Sequence, residues 1–189
     1  MSEDFHVHGP HDHEVEHQAH EGDQFAGRIA VMTAIMATIG ALVSFQGGDT
    51  QNAALLWKNE AAIKKTEASD LWAYYQAKGN KQNLAELGAT LTTGKTAETY
   101  LQEVERYKNE KDKIMVDAKA LEQASKDADA KSEESMHQHH RWAQSMTLIQ
   151  IAIALAAIAL LTRQKWMQWL VYGTAAGGTA IAVLAYAHA

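Results

Sequence analysis

Three stretches of this chain contain no Asp, Glu, Lys or Arg: 29–48, 142–162 and 166–189. They hold 20, 21 and 24 residues, so the 17 basic and 23 acidic residues crowd into the remainder of the 189 positions. A single water-soluble core has no reason to segregate charge this way. About 20 apolar residues are what a helix needs to cross the hydrocarbon of a bilayer. The pattern predicts an all-α fold with three transmembrane helices, at 28–47, 146–162 and 166–187. Residues 48–145, inserted between the first and second spans, are expected to form a long antiparallel, coiled-coil-like helical hairpin with its turn near 88–99.

Composition narrows the chemistry. With no cysteine, the chain has no disulfide scaffold, thiolate zinc site or cysteine nucleophile. A net charge of −6 without a basic stripe argues against a nucleic-acid partner. Residues 1–27 form an acidic tail with seven carboxylates and six of the ten histidines. Such a segment lacks the basic start and short apolar core of a secretory signal, so the run from Ile29 reads as an uncleaved span. Within it Ala30, Ala34, Ala37 and Ala41, with Gly40 and Ser44, repeat at four-residue spacing, an expected close-packing face. Gly173, Gly177 and Gly178 offer a similar face in the third span.

In the polar segment, steps of three and four mark a seam. On the first arm it passes through Ala54, Trp57, Ala61, Lys64, Ala68, Leu71 and Tyr75. On the second it passes through Val104, Tyr107, Lys111, Ile114, Ala118, Leu121, Ser125, Ala128, Ser132, Ser135, His139, Trp142 and Met146. Gly79-Asn80 is read as a stutter within one long helix, after which Leu84, Leu87 and Leu91 resume in a shifted phase. Counting inward from the membrane ends of both arms pairs Trp57 with Ser135, Ala61 with Ser132, Ala68 with Ser125, Leu71 with Leu121 and Tyr75 with Ala118. So small a seam buries little apolar area, and association with further copies or with another membrane protein is expected. Arg28, Arg163 and Lys165 flank the spans on one side, which predicts a cytoplasmic N-terminus and a periplasmic hairpin.

Phe5-His-Val-His-Gly-Pro-His-Asp-His-Glu-Val-Glu-His17, Arg28-Ile-Ala-Val-Met-Thr-Ala-Ile-Met36, Ala61-Ala-Ile-Lys-Lys-Thr-Glu-Ala-Ser-Asp70, Trp72-Ala-Tyr-Tyr-Gln-Ala-Lys78 and Met136-His-Gln-His-His-Arg-Trp-Ala143 carry a resemblance. Together they resemble a bacterial membrane-protein family, domain-of-unknown-function family 4337. The resemblance implies a bacterial membrane location and brings no reaction with it; the expected location is the inner membrane.

Two clusters have metal-ligand spacing. His13-Glu-Val-Glu-His17 matches H-E-x-x-H, and His20 extends the same helical face at i, i+4, i+7. A short acidic tail supplies no walled cleft for a zinc protease, so the candidate chemistry is chelation of Zn, Ni or Cu by His13, His17 and His20, and the alternative is a solvated tail whose histidines sense pH. Glu134, His137 and His140 form the second set, with Glu134 and His137 in the Glu-x-x-His arrangement of di-metal helical bundles. No serine sits in a nucleophile elbow, no Gly-rich phosphate loop is present, and beyond Arg28 no Asp, Glu, Lys, Arg or His interrupts the three spans. The resulting expectation is a non-enzymatic membrane scaffold or accessory subunit, with metal handling as the alternative.

Overall fold

Pro10 is the one proline, so no residue after it is barred from a helix interior by a missing amide hydrogen. The computed structural model describes residues 12–187, with side chains from Gln24 onward. The class is all-α. Helix α1 runs Asp12–Leu91, α2 Lys95–Thr162 and α3 Lys165–Tyr186. Both breaks use a left-handed residue: Gly94 (φ 67°), which takes that conformation without steric cost, and Arg163 (φ 53°), for which it costs about 1–2 kcal/mol. Neither Gly47-Gly48 nor Gly79-Asn80 ends α1. The chain divides into two compact units, an apolar one up to Thr50 and from His137 onward, and a polar one over Gln51–Met136.

In the apolar unit, Ile29, Met36 and Val43 of α1 join Trp142, Ile149, Ala152, Ala156 and Ala159 of α2 in one buried cluster. Met167, Val171, Ala175, Ala182 and Ala185 of α3 complete it. The expected alanine face of the first apolar run points the other way. Ala30, Ala34, Ala37, Ala41 and Ser44 are exposed, and Gly40 is buried with Ile29, Met36 and Val43. Turning the larger side chains inward gives many more dispersion contacts than turning the alanines inward, and Gly40 lets α2 come close. A Cβ there would lie 3.3 Å from Ile149 Cγ2. On α3 the small-residue contact is at Gly178, where a Cβ would meet Ile149 Cγ1 at 3.0 Å, whereas Gly173 has open space.

In the polar unit the two helices pack antiparallel along a seam of small residues. Ala54, Ala61, Ala68 and Ala85 of α1 are buried, as are Ile114, Ala118, Ala128 and Ser132 of α2. Ser132 Oγ donates to the Ala54 carbonyl and Ser125 Oγ to the Ala61 carbonyl, both at 2.8 Å. The seam positions are those of the sequence pattern except Trp57, which is exposed, but the partners differ from the expected ones by one heptad, because Ser132 was expected opposite Ala61 and Ser125 opposite Ala68. The turn explains the slip. Only Thr92, Thr93 and Gly94 separate α1 from α2, so pairing is set from the closed end rather than from residues 48 and 145.

The expected stutter is also absent. The three-four rhythm continues past Gly79 through Lys78, Gln82 and Ala85, all buried or half-buried, and it leaves Leu84, Leu87 and Leu91 exposed at 67%, 54% and 75%. Polar partners make this possible. The Lys78 ammonium lies 2.5 Å from Glu110 Oε2 and over the rings of Tyr74 and Tyr107, while Lys111 Nζ donates to Gln82 Oε1 at 3.2 Å.

Candidate functional site

Among the described residues three surfaces are distinctive. The first is the outer face of the apolar unit. Val31, Ile35, Leu42 and Phe45 of α1 are exposed, as are Leu161 of α2 and Trp166, Trp169, Leu170, Val183, Leu184 and Tyr186 of α3. Phe45 is 75% exposed and Leu161 84%. A monomer in water rarely shows so continuous an apolar surface. All three helices are long and apolar enough to cross a membrane. The aromatic residues gather near the ends of α3, where amphipathic rings favour a membrane–water boundary.

Inside this unit the buried polar side chains Thr50 and Ser145 are bonded to backbone. Ser145 Oγ, fully buried, donates to the Gly178 carbonyl at 2.8 Å. His139 Nδ1 lies 2.8 Å from the Gly47 carbonyl. A carbonyl only accepts, so Nδ1 carries the hydrogen and Nε2 is the free nitrogen in the neutral ring. Gly47 eases this crossing, because a Cβ would stand 3.3 Å from that of Trp142. Gln168 Nε2 donates to the Tyr172 hydroxyl at 2.5 Å.

The second surface is the charged seam of the polar unit. Hydrogen bonding to Lys78, reinforced by its charge and by that of Arg106, holds the Glu110 carboxyl below its ordinary value. Hydrogen bonding to Glu110 in turn raises Lys78 above its own. Arg106 also pairs with Glu103 and lies over the Tyr107 ring, so two cations and two carboxylates interlock around that ring. Nearby, Lys58, Lys65, Lys126, Asp129 and Trp72 border an open groove of about 760 Å³ floored by Ala61 and Ala68. Lys58 pairs with Asp129, and Trp72 Nε1 donates to Glu122 at 2.9 Å. The third surface is the leucine stripe of Leu84, Leu87 and Leu91.

Of the metal-site residues expected from spacing, His13, His17 and His20 lie outside the residues whose side chains are described. Glu134, His137 and His140 are exposed on α2. Among the described residues no three His, Asp or Glu side chains are grouped so as to hold a metal ion. Reading for hydrophobic residues missed Lys78 and Gln82 as seam members. Counting sevens onward from Ala61, Ala68 and Tyr75 reaches Gln82, and counting from Lys64 and Leu71 reaches Lys78.

No curated protein and no solved structure matches the chain. A family match extends over residues 25–188, covering α3, α2 and all of α1 beyond Gln24. Helices with these apolar outer faces and this seam therefore come with one assignment, and the chain belongs to the family described as Domain of unknown function (DUF4337).

Proposed function

We propose that this protein is a three-span integral protein of the bacterial inner membrane and a non-catalytic scaffold or accessory subunit. In this reading the charge-free runs of the apolar unit cross the bilayer, and the polar unit stands outside it as a helical hairpin between the first and second spans. The basic groups Arg28, Arg163 and Lys165 favour a cytoplasmic N-terminus and a periplasmic hairpin. The exposed apolar faces of all three helices support membrane residence, since lipid is the solvent that suits them. The observation that carries the scaffold role is the leucine stripe. Leu84, Leu87 and Leu91 lie together on one face of α1, and they stay exposed because Lys78, Gln82 and Ala85 occupy the seam. An apolar stripe held outward in this way suits a helix of another copy or of another membrane protein.

Extraction in a mild detergent followed by mass measurement of the intact particle tests this. The expected result is an oligomer or a defined complex that dissociates when Leu87 and Leu91 are both changed to Glu. A monomer without a co-purifying subunit would defeat the scaffold reading.

A further inference from the structure

The apolar unit carries a groove that crosses from the charged part of the chain into a charge-free run. Gln24, Gly27 and Arg28 border one end, Val31 and Ile35 the other, and Tyr172 of α3 lies opposite, along an open groove of about 550 Å³. Its polarity changes along its length. Arg28 is the last charged residue before 20 uncharged positions, and its guanidinium has no partner among the described residues. Val31 and Ile35 follow one and two turns further on, both more than half exposed. Tyr172 accepts a hydrogen bond from Gln168, which leaves its own hydroxyl hydrogen available to a further acceptor. Gly27 leaves the entrance clear, since a Cβ there would meet nothing within 4 Å.

We propose that this groove binds one anionic phospholipid. The phosphate sits at Arg28 within reach of the Tyr172 hydroxyl, and an acyl chain lies along Val31 and Ile35. The guanidinium matches a phosphate oxygen pair in geometry as well as charge. A free phosphate would satisfy Arg28 but would leave the apolar half of the groove unfilled. A zwitterionic lipid would fill the apolar half, but its headgroup would carry no net negative charge to the guanidinium. Basic pockets between membrane helices on the cytoplasmic side are recurrent anionic-lipid sites. The proposal rests on the three-span reading.

Native mass spectrometry of the full-length protein in mild detergent tests it, with phosphatidylglycerol or phosphatidylcholine of identical acyl chains added at equal concentration. The wild type should retain one phosphatidylglycerol in preference to phosphatidylcholine, and excess inorganic phosphate should not displace it. Arg28→Gln should lower that retention roughly tenfold. Gly27→Trp, whose Cβ meets nothing within 4 Å, fills the entrance and should lower it at an unchanged unfolding temperature. Equal retention of the two lipids, undiminished retention in either variant, or displacement by phosphate would each overturn the proposal. Alkaline carbonate extraction of the same membranes scores the three-span reading separately, because a peripheral protein would be released whatever its lipid preference.

Discussion

One added methyl group at Gly178 would drive α3 away from α2. Its Cβ would face not only the flexible Ile149 side chain but also the Ile149 backbone nitrogen at 3.2 Å and Leu148 Cβ at 3.2 Å. Backbone cannot swing aside as a side chain can, so the helices must separate, and the Ser145 bond to the Gly178 carbonyl stretches with them. Gly178→Val should therefore destabilise the protein in detergent by about 1–3 kcal/mol. Gly173→Val in the same helix meets open space and serves as the control. Thermal unfolding of the two variants decides the matter, and equal losses would mean that the α2–α3 contact lies elsewhere.

For the helices, the question is register. The sequence makes the seam legible, since small residues fall every seven positions at Ala54, Ala61 and Ala68 and three-four steps recur along α2. The same regularity hides the partner of each rung. Sliding one arm by a heptad again sets small residues against small ones and moves the helices by about 10 Å. Only the three-residue turn distinguishes the alternatives, and runs of Thr and Gly locate such a turn to within several residues. Cysteine pairs can read the result, because the chain has no cysteine of its own. The Ala61→Cys/Ser125→Cys pair should oxidise to a disulfide, whereas Ala68→Cys/Ser125→Cys should stay reduced; the reverse would restore the register expected from sequence. The groove at Arg28 is less legible still, because it joins a residue before the first charge-free run to one within the third.

The Lys78–Glu110 pair gives the polar unit a defined pH window. Glu110 is lowered below its ordinary 4.5, so its contribution stands above that value and is lost as pH falls through the lowered one. Lys78 is raised above 10.5, so its contribution stands below that value and is lost as pH rises through the raised one. Helical melting followed by circular dichroism should show a plateau between these limits and a fall below about pH 4.5. Glu110→Gln should lower the plateau and flatten part of the acid limb. An acid limb identical in variant and wild type would remove the pair from the account.

At the scale of the whole molecule, the proposed topology assigns the two units different surroundings. Lys119 is exposed in the polar unit and Gln164 in the turn between α2 and α3. With single cysteines at these places, a membrane-impermeant thiol reagent on intact cells should label position 119 and spare position 164. Labelling of 164 alone would invert the protein in the membrane.

The seven-residue recurrence of the seam makes length itself a discrete quantity. Removing residues 62–68 from α1 together with 118–124 from α2 deletes one rung from both arms. It keeps Ser125 opposite Ala61 and leaves the closing turn untouched. The polar unit can thus be shortened in steps of about 10 Å, each step keeping the small-residue rungs in register although Trp72 loses its Glu122 partner, and a deletion that is not a multiple of seven twists one arm out of phase. An assembly built on such a part would have its spacing set by a count of heptads, as a rack is set by its teeth.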